Sequence, residues 1–559
     1  MTTRLTVRSM PCGRSRPGSG SRRPCSVDLD VAAGERVVIV GGAGTGKTAC
    51  ALALSGFAED LPAGMRVFLG GEDVYTMAPL RRAQLIGTVP SQPNLVFSCI
   101  GGSVYREMEL CFSFLGCDPD SRRIQEMATM MGLGHLMDRD PLSLSGGEKV
   151  RLAIALGLLK TPAVMIFDDS LRELDPESER DIRGALDAMR HARGMVAIEF
   201  QTRPRDTALT SVGQWVFITP QDVIRGPLDA CWRSVAARDP GLLPPCAALA
   251  ARLEQVLDVS YPCPPDSPAA VAAPLLPRRP GHIPVTSGTG RADSAGRGEA
   301  RLEVSRLSYR YPNSPAFCLG PLSHVFMSGT VTSVLGLNGA GKTTALRCLG
   351  NLIADWAGEI EVLPGLSARR LRLPGWAHAA MYCFQCADDQ LFLGTVREEM
   401  SIAASYTRGK SCGTAARVDR LAEDFGVSAL LDASPTELPR PLRRLVTLGA
   451  ALVAAPPVIL LDEPTVDLDE DLIRRVSEAI RRYCREGGTV ILVSHDYDFV
   501  GNVSDEVLLL EDGSFSRTAK RAERSPWPTR PEPCATQVAR WVDGNGFAWA
   551  ERDLIGLLT

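Results

Sequence analysis

Gly336-Leu337-Asn338-Gly339-Ala340-Gly341-Lys342-Thr343 fits the pattern G-x-x-x-x-G-K-[ST], and Gly41-Gly42-Ala43-Gly44-Thr45-Gly46-Lys47-Thr48, 295 residues earlier, fits it again. Short apolar runs precede both: Val331-Thr332-Ser333-Val334-Leu335 and Val37-Val38-Ile39-Val40. Helix-forming runs follow, Thr344 to Leu349 and Ala49 to Leu54. Strand, glycine-rich turn, helix predicts a duplicated α/β fold, each half built on a phosphate-binding loop. The loop's backbone N–H groups converge on phosphate at a helix N-terminus, whose dipole favours anions. Gly41, Gly44 and Gly46 shape one cradle, and Gly336, Asn338, Gly339 and Gly341 the other. Lys47 and Lys342 are placed to reach the β- and γ-phosphates, and Thr48 and Thr343 to ligate Mg²⁺, with Thr344 beside them in the nucleotide site.

The duplication continues downstream. Leu144-Ser145-Gly146-Gly147-Glu148 lies 294 residues before Leu438-Pro439-Arg440-Pro441-Leu442. The same shift lays Asp168 over Asp462 and Gln201 over His495. This divides the chain into a first domain over 1–240, a helical segment and linker over 241–300, a second domain over 301–520 and a tail over 521–559. Residues 261–300 hold eight prolines among many Gly, Ser and Ala, which predicts an unstructured, semi-extended tether. A flexible chain of that length spans roughly 35 Å. Six arginines precede the first acidic residue, Asp28, with no apolar stretch among them, so the N-terminus reads as a flexible surface tail rather than a secretory signal.

Composition narrows the function classes. The 559 residues are 45% hydrophobic and 23% charged with net charge −4, ordinary for globular protein and no footprint for nucleic acid. No apolar run approaches membrane-spanning length. The 16 cysteines are scattered, and Cys383-Phe384-Gln385-Cys386 has no second pair at zinc-binding spacing, so buried reduced thiols are expected.

Pro456-Pro457-Val458-Ile459-Leu460-Leu461-Asp462-Glu463 reads as an apolar strand ending in two carboxylates. Asp462 is positioned to hold Mg²⁺ and Glu463 to polarise an attacking water. The first copy, Val164-Met165-Ile166-Phe167-Asp168-Asp169, keeps the metal carboxylate but shortens the base by one methylene. A retreat of about 1 Å at a reacting centre can cost about 10²-fold.

A phosphate loop, then L-S-G-G-E, then a strand ending in Asp resembles the ATP-binding-cassette (ABC) ATPases, over both halves. Phe384-Gln385, Asp388-Asp389-Gln390-Leu391-Phe392 and Thr395-Val396-Arg397-Glu398-Glu399 resemble, over a shorter stretch, the ATPases of energy-coupling-factor transporters, which import vitamins and metal ions. The resemblance implies tandem P-loop domains, each a RecA-like α/β core with a helical signature subdomain. It implies an ATPase with ATP and Mg²⁺, working at the cytoplasmic face of the membrane with separate integral membrane subunits. It also implies that the two halves pair head to tail, each ATP lying between one loop and the other half's signature. Tyr311 then stacks on adenine, Gln385 meets metal and γ-phosphate, Asp469 communicates across the pair, and His495 contacts the γ-phosphate. Ser145, Gly146, Gly147 and Glu148 face the ATP held by Lys342.

Departures from that pattern fall unevenly. No aromatic residue lies ahead of the first loop, Ser91 stands at the Gln385 position with Gln92 displaced by one, and Gln201 replaces the histidine. In the second half Pro439 and Pro441 have no N–H to offer phosphate. Losing two charge-assisted hydrogen bonds removes about 3–6 kcal/mol, roughly 10²–10⁴-fold in an equilibrium, of which Arg440 restores some by charge. Pairing the halves head to tail leaves one complete site and one that collects the defects. The expectation is an energising subunit of an importer. The alternatives are a soluble tandem cassette acting on ribosomes or nucleic acid, and a nucleotide-dependent scaffold. A charged helical linker or a large insertion marks the first alternative. The interval from Gln385 to Leu438 is 53 residues, matched by Ser91 to Leu144, which leaves no room for an insertion. Intact Glu463 and His495 argue against the scaffold.

Overall fold

The computed structural model describes residues 4–520, apart from 13–24, 63, 101, 175, 206–211, 220, 258, 279–299, 312–317, 338, 363–364, 372 and 407–412. The chain divides into two compact units, Met1–Arg252 with Tyr261–Asp266, and Leu253–Ser260 with Ser267–Thr559. Asn338 and the tail over 521–559 lie outside the described residues.

In the first unit, six strands lie side by side in the order Val223–Gly226, Gln214–Ile218, Arg36–Gly41, Val196–Gln201, Val164–Asp168 and Ile86–Val89, parallel except for the first pair. The strand leading into the phosphate loop is thus central, buried on both faces, and its Val-Val-Ile-Val run is what such a position requires. In the second unit the order Ala380–Cys383, Val458–Asp462, Thr489–Val493, Val331–Leu335, Glu506–Glu511, Ser514–Lys520 repeats this plan. Each unit adds a smaller antiparallel sheet. Each also has a helical portion ending in a long helix, Gly146–Leu159 or Arg440–Ala454, that leads back to the carboxylate-bearing strand.

Two expectations fail. The basic N-terminus is not a loose tail along its whole length: Leu5–Cys12 is a strand paired with Cys25–Val31. Leu5, Val7 and Met10 are buried, while Arg4 and Arg8 pair across the strands with Asp30 and Asp28. Arginine density hid the alternation beneath it. The Pro-rich stretch is not an open tether up to residue 278. Pro268–Ala272 is helical, Ala273–Arg278 continues as a 3₁₀ turn, and Tyr261, Val271 and Leu275 are buried. Ser267 caps this helix by accepting from the Ala270 N–H (3.4 Å), and Pro268 follows at its first position. That is a helix-start signal, outweighed in the sequence reading by the proline count.

The first unit also buries a charged network. Glu199, on the strand Val196–Gln201, accepts from Arg36 (2.7 and 3.0 Å) and Arg183 (2.9 and 3.2 Å). Arg183 also bonds Glu179 (2.8 Å), which takes Arg205 as well (2.8 Å). Burial alone would raise the Glu199 carboxyl; the charges of Arg183 and Arg36 and their hydrogen bonds outweigh it and hold the group at about 2. A carboxyl depressed in the folded state stabilises above its unfolded value, and that contribution is lost as pH falls from about 4.5 toward about 2. Glu199→Gln leaves two arginines facing a neutral partner and is expected to cost about 3–5 kcal/mol in urea unfolding at neutral pH. The gap between variant and wild type should close across that acid window.

Candidate functional site

In the second unit the strand Val331–Leu335 turns at Gly336 into the loop, and the helix Lys342–Leu349 leaves it. Gly341 precedes that helix at φ 99°, and Gly46 precedes Lys47–Ser55 at φ 87°, conformations in which a Cβ is strained. Lys342 Nζ lies back over the loop, donating to the carbonyls of Gly336 (2.9 Å) and Leu337 (3.0 Å). Lys47 does the same to Gly41 (2.6 Å) and Gly42 (2.9 Å). Both cradles therefore have the same form.

Asp462 ends the strand Val458–Asp462, buried, with its Oδ1 accepting from Thr343 (3.2 Å) and its Oδ2 from Tyr382 (2.7 Å). Burial raises this carboxyl, and the two hydroxyls with the charges of Arg347 and Lys342 oppose that rise. A buried carboxylate beside a threonine hydroxyl at a phosphate cradle is an oxygen donor set that fits Mg²⁺. Among the described residues no group of three or more His, Cys, Asp or Glu surrounds a common point. Asp462, Thr343 and Gln385 would hold the ion in the second unit, and Asp168 and Thr48 in the first. It would supply charge neutralisation on the phosphates.

Glu463 follows at φ 50°, a left-handed conformation unusual for Glu that aims its carboxylate off the strand end. Its N–H bonds Val493 O (2.9 Å), its Oε2 accepts from the His495 N–H (3.1 Å), and His495 Nε2 lies 3.5 Å from its Oε1. Burial first, then the adjacent Asp462 charge, push this carboxyl up to about 8. The pair can poise a proton acceptor next to a side chain able to change charge. Tyr311 reaches the same loop, its hydroxyl 3.2 Å from Thr344 Oγ1 and its ring edge-on to Tyr309. Asp469 caps the helix Glu470–Arg485, accepting from the Leu472 N–H (3.0 Å).

The first unit repeats this backbone but not its chemistry. Asp169 takes φ 53° and its N–H bonds Phe200 O (2.8 Å). The N–H that then reaches Asp169 Oδ1 (3.3 Å) is that of Thr202. Strand pairing agrees, since Asp168 lies opposite Phe200 as Asp462 lies opposite Val493. Thr202, not Gln201, therefore occupies the place of His495. The preceding helix, Pro176–Arg193, has 18 residues against 16 in Glu470–Arg485, and the turn after it is one residue shorter, a net extra residue that a constant shift of 294 missed. Gln201 is turned to the buried network, its amide donating to Glu199 Oε2 (2.9 Å). Threonine, like glutamine, cannot become cationic, and its hydroxyl lies one bond from Cβ and reaches less far than a glutamine amide or an imidazole. Ser91 does fall at the Gln385 position, because Val89 pairs with Phe167 as Cys383 pairs with Leu461.

The signature helices contrast in the same way. Ser145 caps Gly146–Leu159 in a reciprocal box: its Oγ accepts from the Glu148 N–H (3.4 Å) while Glu148 Oε2 accepts from the Ser145 N–H (2.8 Å). The N–H groups of Gly146 and Gly147 are the free first-turn donors of that helix. Arg440–Ala454 starts after Pro439 with Pro441 in its first turn and no side-chain cap.

Sequence reading missed two side chains that shape the second site, Tyr382 and Arg444, and gave Gln390 no role beyond its motif. Arg444 is buried on the signature helix and donates to the carbonyls of Phe384 (2.6 Å) and Gln385, pinning the loop whose Gln385 side chain remains exposed. Gln390 bonds the Phe384 N–H (2.9 Å) and Tyr382 O (3.1 Å) across that loop. An Arg two residues beyond a damaged signature was the available signal. Cys383 is buried and its thiol pushed up to about 12 by desolvation, consistent with an inert role.

Two P-loop α/β units, each with a carboxylate strand and a signature helix, define a tandem P-loop ATPase. Residues 25–172 and 319–466 both match the ABC transporter family, and the chain belongs to that family as an ATP-binding, ATP-hydrolysing protein. A "Putative ABC transporter ATP-binding protein" of Bifidobacterium longum is 28% identical over 515 residues, 86% of this chain; the aligned part spans only 62% of that relative. A "Putative HMP/thiamine import ATP-binding protein" of Bacillus subtilis is 24% identical, with 87% of this chain and 86% of the relative aligned. The solved structure titled "RNase-L Inhibitor" shares the fold at TM-score 0.52 and 20% identity, covering 91% of this chain and 90% of that one.

Proposed function

We propose that this chain energises a membrane transporter, an importer of energy-coupling-factor type, through one hydrolysing ATP site and one degenerate site. The observation that carries this reading is the contrast between Glu463 held beside His495 and Asp169 beside Thr202 on the same backbone. With the halves paired head to tail inside one chain, the Lys342 site receives Ser145-Gly146-Gly147-Glu148, and the Lys47 site receives Leu438-Pro439-Arg440-Pro441-Leu442. ATP then closes the halves and one hydrolysis per cycle reopens them. The importer reading draws on the Phe384–Glu399 motifs and on the Bacillus subtilis relative whose name is "Putative HMP/thiamine import ATP-binding protein". On this reading, which follows the family, separate integral membrane chains form the pathway and this protein works on their cytoplasmic face. Among the described residues no helix is long and apolar enough to cross a membrane.

Two experiments test this. Purification of the tagged chain from detergent-solubilised membranes is expected to bring down integral membrane proteins; recovery of ribosomes instead would favour the soluble alternative. Asp169→Asn is expected to leave phosphate release nearly unchanged, because that carboxylate has no titratable neighbour at the Thr202 position and is a methylene short of the Glu463 reach.

A further inference from the structure

Tyr382 sits on the strand Ala380–Cys383, one strand over from Asp462 and two residues back in register, opposite Leu460. Its ring is buried (7% exposed) and rests edge-on against Phe384 at 4.9 Å between centroids. From there the hydroxyl spans the diagonal and donates to Asp462 Oδ2 at 2.7 Å, while Thr343 takes Oδ1. Both carboxylate oxygens are therefore fixed by hydroxyl donors on different elements. The corresponding position in the first unit, by the pairing of Thr88 with Ile166, is Thr88. Its hydroxyl is one bond from Cβ, too short for that diagonal, and it is buried without a hydrogen-bond partner among the described residues.

We infer that Tyr382 is a positioning residue for the metal-binding carboxylate, holding Asp462 in the rotamer that presents Oδ1 and the Thr343 hydroxyl to the divalent cation of the second ATP site. The inference rests on the proposed role of Asp462. A carboxylate with one oxygen tied to a rigid ring loses little freedom on binding the ion, whereas a free one must be ordered at that moment. Hydrogen-bond partners of metal ligands, when removed, typically cost about 10–100-fold in metal affinity. Tyr382 also links the carboxylate to the loop carrying Gln385 through its backbone, whose carbonyl accepts from Gln390 Nε2 while Gln390 Oε1 accepts from the Phe384 N–H. Tyr382→Phe removes the hydroxyl alone and keeps the buried ring.

The test uses the full chain and three proteins: wild type, Tyr382→Phe and Asp462→Asn. Mn²⁺ binding in the presence of a non-hydrolysable ATP analogue is followed by the loss of free-ion electron paramagnetic resonance signal. Analogue binding in EDTA is measured in parallel. Tyr382→Phe should weaken Mn²⁺ about 10-fold or more, with metal-free nucleotide binding unchanged and turnover recovering at high Mg²⁺. Wild-type Mn²⁺ affinity in Tyr382→Phe, with loss in Asp462→Asn, would overturn the inference about Tyr382. Parallel weakening of metal-free binding would overturn it too, by showing a merely structural role. No loss in Asp462→Asn would overturn the metal role of Asp462 itself.

Discussion

Glu463→Gln should lower steady-state phosphate release about 10²–10⁴-fold while ATP still binds, because an amide at this place accepts no proton from water. The substitution is nearly isosteric, and the His495 N–H that now meets Glu463 Oε2 at 3.1 Å can meet the amide oxygen instead, so the strand end keeps its shape. The size of the effect follows from concentration of function. If the Asp169 site turned over as well, the loss would stop near one half. A second signature comes with it. Burial first, and then the adjacent Asp462 charge, push the Glu463 carboxyl up to about 8. A base works deprotonated, so kcat/KM should rise with pH toward that value, and Glu463→Gln should lack the rising limb.

Ser145→Arg should be as damaging as Glu463→Gln, although the two residues are 318 positions apart on different units. Locally the change removes one cap, a cost of about 0.5–2 kcal/mol that a helix buried along most of its length can absorb. Functionally it places a bulky side chain over the free N–H groups of Gly146 and Gly147, the donors assigned to the ATP on Lys342. Ser145→Ala separates the two effects, since it loses the cap without the bulk and should retain far more turnover. Pro439→Ser, at the matching place in the second unit, should change phosphate release little, because the site it would repair lacks the base and the switch. A Ser145→Arg protein that hydrolyses ATP normally would end the head-to-tail account.

Much of this was legible from residue types at fixed spacing. Loops, carboxylate strands and signature helices occupy the places their motifs assign, because glycine-rich turns and Asp-terminated apolar runs are local features that tertiary packing does not rewrite. Gln201 was misread as the counterpart of His495, a place Thr202 occupies, because a helix in one copy is longer, and a constant offset cannot see length changes inside an element. Tyr382 and Arg444 were invisible for a different reason: each acts on a partner distant in sequence, Asp462 or the Phe384 carbonyl, through the register of neighbouring elements. The buried network on Glu199 was likewise hidden, since its members lie on two neighbouring strands, a helix and a loop that are far apart in sequence.

The most direct measurement is a rapid-quench count of phosphate formed when the chain, filled with ATP and Mg²⁺, is allowed a single turnover. One hydrolytic site predicts about one phosphate per chain in the fast phase, the same count in Asp169→Asn, and none in Glu463→Gln. Two phosphates per chain at matching rates, or a count halved by either substitution alike, would contradict it.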